Sequence, residues 1–260
     1  MLLARTSSVA TLDLLGLATL SGCGPVGING SVNVPAGATA EGATTVNGSV
    51  NVGDGAKVGA AATVNGRVRI GDNATAESAK TVNGGIRIGS GTKVSQDVDT
   101  VNGRIILSEG ADVAGHVWNV NGGVRLDGAH VGEGITTFNG DIDVGRGSHV
   151  EGGIHVQKPE FSDDSERHIP RIVIGPDSVV QGTLRFDRKV KLFVSDTAKI
   201  GPVEGATAQM YSGDYANDPS ASATAPAADT TGAPTEATAA APGTTTEKPS
   251  SKPAAGGPEK

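Results

Sequence analysis

The sequence predicts an all-β protein: a single three-sided parallel β-helix, a β-solenoid of about nine coils, followed by an unstructured tail. Three observations carry this. An apolar-Asn-Gly triplet returns seven times, with its Asn residues 18, 18, 18, 19, 19 and 18 positions apart. Each period divides into three hexads. The composition, with 39 Gly and 3% aromatic residues, lacks the large side chains of a wide globular core and suits narrow stacked strands.

Residues 1–22 read as an export signal. Arg5 supplies a positive start, and Val9 to Leu20 is an apolar stretch, interrupted by Asp13, that is too short for a mature membrane span. Leu20-Ser21-Gly22-Cys23 follows, and Cys23 is the single cysteine of the chain, so it has no internal disulfide partner. The segment resembles the bacterial lipobox. That resemblance implies lipidation of Cys23, a membrane tether through the lipid, and 23–27 as a short linker. Gly24 is not acidic, which by the family's sorting rule implies the outer membrane, on its periplasmic or its surface side. The plainer reading is an ordinary secretory signal with an incidental cysteine.

The triplets place Asn29, Asn47, Asn65, Asn83, Asn102, Asn121 and Asn139 in one column. The coil from Val46 shows the hexads: Val46-Asn-Gly-Ser-Val50-Asn, Val52-Gly-Asp-Gly-Ala56-Lys and Val58-Gly-Ala-Ala-Ala62-Thr. Each opens with an aliphatic residue, and Gly or Asn usually follows, where the left-handed backbone of a corner is tolerated. Alternate strand side chains share a face, so Val50 and Val52 point inward together, as do Ala56 and Val58. Stacking then makes ladders of like residues. One runs Val32, Val50, Val68, Ile86, Ile105, Val124, Ile142. A second runs Val34, Val52, Ile70, Ile88, Leu107, Leu126, Val144. A third runs Ala40, Val58, Ala76, Val94, Val113, Val131, Val150. The Asn column is expected to share amide hydrogen bonds, a structural ladder rather than a binding face. The extra residue of the longer coils is expected at a corner near Asp99 and Trp118.

The solenoid is expected over 28–206. Lys158 to Arg171, polar and holding Pro159 and Pro170, breaks the register and reads as a protruding loop (158–171). Residues 207–216, with Tyr211 and Tyr215, read as a C-terminal cap. Residues 217–260, mostly Ala, Thr, Pro, Ser and Gly, cannot bury enough apolar surface to order themselves.

The hexads Val52-Gly-Asp-Gly-Ala56-Lys and Ile70-Gly-Asp-Asn-Ala74-Thr resemble the hexapeptide repeat of left-handed β-helices. The run from Ile172 to Leu184 resembles bactofilins, polymer-forming right-handed β-helices. The Thr-Val-Asn-Gly beat is similar to exported β-solenoid domains described either as adhesins or without an assigned role. These resemblances cover roughly 26–206 and leave handedness open, and they imply architecture far more than function.

Each candidate site also has a plainer reading. Hexapeptide acyltransferases imply a catalytic His, and the chain offers His116, His130, His149, His155 and His168. His168, in the loop near Asp163, Asp164 and Glu166, is the best of these but has no nucleophile or orienting carboxylate identifiable in sequence. His130 and His149 stand at equivalent places in adjacent coils, yet a metal site built on them lacks a third ligand at a defined spacing. Arg67, Arg69, Arg87, Arg104 and Arg125 sit at outward places and suggest an anion-binding stripe. The plainer reading is a solvated face. No catalytic set, metal or cofactor is expected, and the net charge of −7 gives no reason to expect nucleic-acid binding. The leading expectation is therefore a non-enzymatic structural or scaffolding lipoprotein of the cell envelope that self-associates. The alternative is an adhesin or binding module for acidic glycan, lipopolysaccharide or lipid headgroups. A hexapeptide-repeat acyltransferase is the minor one.

Overall fold

The computed structural model describes residues 24–158 and 168–213. The expected signal and Cys23, most of the loop and the tail lie outside those residues. The chain is an all-β parallel solenoid with coils of about 18 residues. One side is a sheet of ten short strands, from Val32–Val34 through Ile86–Ile88 to Ala208–Tyr211, so the described residues form ten coils rather than nine. The other two sides share a 16-stranded sheet, because Thr39–Asn47, Lys57–Asn65 and Thr75–Asn83 run unbroken round one corner.

From the fourth coil that corner opens. Ala76 pairs with Val94 and Ala79 with Val98, so three residues, Ser95, Gln96 and Asp97, stand over the two residues Glu77 and Ser78. The extra residue therefore falls at this corner, just before Asp99 in its coil and ahead of Trp118 in the next, rather than at either residue. Those two lie in register with Lys80 and with each other, in unbroken strands. Trp118 is thus no bulge residue; it points outward and meets Phe138 edge to face, with ring centroids 6.3 Å apart.

The three inward ladders stack in register as read. They continue past the loop through Ile172 and Leu192, Ile174 and Val194, and Val180 and Ile200. All but Ile200 of these added residues are buried. Ala56, Ala74, Thr92, Ala111, Ala129 and Ser148 fill the adjoining corner. There the chain turns through a left-handed residue in coil after coil, at Gly55, Asn73, Gly91 and Gly110 (φ 53–69°).

The third side departs from the hexad beat. The aliphatic residue before each Asn-Gly faces outward, with Val46, Val64 and Val82 40–41% exposed, and the residue before it faces in. Thr45, Thr63, Thr81 and Thr100 are buried, and their hydroxyls donate to the carbonyls of Gly30, Gly48, Gly66 and Gly84 at 2.9–3.1 Å. Asn119 does the same to Gly103 through its amide at 2.8 Å. A corner carbonyl turned into the core needs a donor, and Thr supplies one where Val cannot.

Within the segment read as a cap, the described residues carry one more strand of the solenoid. Ala208–Tyr211 pairs in parallel with Lys191–Ser195. The Tyr211 hydroxyl donates to the carbonyl of Ile174 at 3.2 Å, stitching back across the last strands.

Candidate functional site

Three groups of polar side chains stand on the outer surface. The first is the Asn column. Asn47, Asn65, Asn83, Asn102, Asn121 and Asn139 each donate an amide hydrogen to the carbonyl oxygen of the Asn one coil earlier, from Asn29 onward, at 2.9–3.1 Å. From the second Asn onward, the glycine beside each Asn is required by space. A Cβ on Gly48, Gly66, Gly84, Gly103 or Gly122 would overlap the carbonyl oxygen of the glycine one coil below.

This ladder has a direction, so its last oxygen, on Asn139, needs a donor from elsewhere. Arg188 provides it. Its Nη1 donates to Asn139 Oδ1 and, at 2.9 Å, to the carbonyl of Phe138, while Nη2 donates to the carbonyl of His168 at 2.7 Å. Arg188 is 8% exposed, and burial lowers its pKa. It closes the ladder beyond its last Asn.

The second group is the five candidate arginines Arg67, Arg69, Arg87, Arg104 and Arg125, all exposed. They form no single stripe. Asn51, Arg69, Arg87, Ile106, Arg125 and Asp143 make one column. Arg67 and Arg104 belong to the neighbouring column and lie on either side of Gly85, since Val68 and Ile86 donate their backbone N–H to the carbonyls of Gly85 and Arg104. Arg125 stands 3.9 Å from Asp143. Burial holds the Asp143 carboxyl above its ordinary range, while Arg125 and Arg171 pull it back. What remains contiguous is Arg67, Arg69, Arg87 and Arg104 over three coils.

The third group is the histidines. His130 and His149 are register neighbours, and Asp112 precedes them in the same column. Asp112 Oδ1 is 2.6 Å from His130 Nδ1, and Glu151 Oε1 is 3.3 Å from His130 Nε2. The hydrogen bond to Asp112 is the main cause of a raised His130 pKa. Glu151, two residues past His149 and on the same outward face, was not recognised in sequence as a companion of these histidines. Column register, not linear spacing, brings it there.

The remaining histidines are separate. His155 Nε2 lies 2.7 Å from Asp187 Oδ2, His116 Nε2 is 2.9 Å from Thr136 Oγ1, and His168 Nε2 is 3.3 Å from Asp141 Oδ1. Burial lowers the pKa of His116 against the opposing pull of Asp97, Glu133 and Asp99. Comparison with protein-family profiles, curated proteins and solved structures finds no match to this chain.

Proposed function

We propose that this chain is a non-enzymatic structural or scaffolding solenoid of the cell envelope, tethered by lipid on Cys23 at the outer membrane, and that it associates with its own copies. The observation that supports self-association is the pair of open ends. Among the described residues, Val32–Val34 and Ala208–Tyr211 each pair on one side only. The first strand, Val26–Asn29, also carries Val26 and Ile28, which are 73% and 72% exposed. Unpaired strand edges with apolar side chains are templates for another copy.

Sedimentation of the full chain carrying Cys23→Ala tests this. Larger species should grow with concentration, and Ile28→Lys, at an exposed position that the fold tolerates, should shift them to monomer. A monomer at every concentration refutes the assembly. Fractionation with mass analysis tests the tether: an unlipidated Cys23 in the native protein refutes it.

The contiguous Arg67, Arg69, Arg87 and Arg104 support a second reading, a docking face for acidic glycan, lipopolysaccharide or lipid headgroups. Binding to an acidic glycan that persists undiminished in Arg69→Ala/Arg87→Ala removes it.

A further inference from the structure

We propose that His130, His149 and Glu151 form a site for a divalent transition-metal ion of the zinc type, clipping two neighbouring coils together. One ligand atom from each of the three lies within 4.8 Å of the others. The separation of His130 Nε2 from Glu151 Oε1 is 3.3 Å. That is close to the edge of a tetrahedron with metal–ligand bonds of about 2.1 Å, about 3.4 Å. The two rings approach with centroids 5.6 Å apart and planes tilted by 42°, so they converge rather than stack flat.

The surroundings fit a ligand set. Asp112 holds His130 Nδ1 at 2.6 Å. That contact fixes the ring and directs Nε2 toward Glu151, the arrangement by which a carboxylate behind a histidine orients it for a metal. Gln181, one coil further on, sets its amide 2.9 Å from His149 Nε2 and borders the site. Two imidazoles and one carboxylate favour zinc, copper or nickel over magnesium or calcium, which take oxygen ligands. The ligands come from two coils, His130 from one and His149 with Glu151 from the next. A bound ion therefore ties adjacent rungs together on the outside, where the core ladders do not reach. All three side chains are at least partly exposed, which leaves room for water at the remaining position.

The test is calorimetric titration of zinc chloride into the full chain carrying Cys23→Ala, so that no thiol competes, and without a polyhistidine tag. One equivalent should bind, and bound zinc should raise the Tm because it favours the folded state. His149→Gln and Glu151→Gln should each abolish the saturable binding. Asp112→Asn should weaken it by about tenfold or more through loss of ring orientation. His155→Asn, on another side of the solenoid, should bind as the parent does. Circular dichroism checks that each variant keeps its β-structure, which surface positions permit. An absence of saturable zinc binding overturns the proposal. So does binding that survives both His149→Gln and Glu151→Gln, or binding that is lost instead in His155→Asn.

Discussion

The inward Thr column is the feature that most sharply tests how the third side is built, and Thr63 with Val64 is the place to test it. Thr63 is 5% exposed and donates to the Gly48 carbonyl at 2.9 Å, whereas its neighbour Val64 is 40% exposed. Thr63→Val keeps the shape and removes the donor. Losing the bond and stranding a buried carbonyl costs about 1–3 kcal/mol. The methyl that replaces the hydroxyl returns about 0.8 kcal/mol of apolar burial. The expected net loss is about 0.2–2.2 kcal/mol. Val64→Thr changes a surface side chain and should stay within about 0.5 kcal/mol. Urea unfolding followed by circular dichroism, compared at equal slope, reads both. If the aliphatic residue of each triplet were the inward one, the two effects would exchange places. A neutral Thr63→Val together with a costly Val64→Thr refutes the assignment.

Ile86→Asp buries a carboxylate between Val68 and Ile105, and should cost several kcal/mol with protection from hydrogen exchange lost in the coils on both sides. Gly84→Ala sets a Cβ against the Gly66 carbonyl at φ 158°, so its unfolding midpoint should fall by the equivalent of about 2 kcal/mol or more. Arg188→Met removes the donor that closes the Asn ladder; a loss of about 2–3 kcal/mol in urea unfolding is expected, with faster amide exchange at Asn139. His116 has a lowered pKa in the folded chain, so the unfolded chain binds its proton more readily and stability falls as pH drops through about 6.5. His116→Gln should lose less stability than the parent between pH of about 7.5 and 5, and equal losses would show that burial of His116 is not what resists the proton.

Much of this fold is legible because a solenoid converts sequence period into spatial neighbours. The return of Asn at 18 or 19 residues already says that Val50 lies on Val68 and Asn47 on Asn65. The phase of the third side is not legible in the same way. Thr63 and Val64 are both β-branched strand formers, and only the need of the Gly48 carbonyl for a donor decides which one turns in. The last coil is missed because Ala208, Gln209, Met210 and Tyr211 carry little of the Val and Ile beat, although the backbone continues its ladder there. Arg188 is far from Asn139 in sequence and meets it through register, since Thr137, Val156 and Phe186 stack and Arg188 follows Phe186 at the same spacing as Asn139 follows Thr137. Glu151 is missed for a related reason: a metal-ligand search by linear spacing does not see a companion supplied by register.

The same column logic bears on the arginines. Like charges stacked one coil apart repel across roughly 4.8 Å, so a continuous arginine column would work against the fold. Here the columns are diluted. Gly85 separates Arg67 from Arg104, Ile106 separates Arg87 from Arg125, and Asp143 follows Arg125. Arg104 even lies across the next glycine, its Nε 3.6 Å from where a Cβ of Gly123 would stand. The outward column that contains the histidines alternates in the same sense, Lys93 against Asp112 and Asp112 against His130. Spacing of this kind keeps like charges apart and the rungs in register. The Arg69–Arg87 register pair is the exception on the arginine face, and the His130–His149 pair is the exception on the other. Both are places where side chains of one kind are brought together despite that pattern. A surface whose regular positions serve the stack is expected to carry its specific chemistry where the alternation lapses, and the zinc titration and the Arg69→Ala/Arg87→Ala comparison examine those two lapses separately.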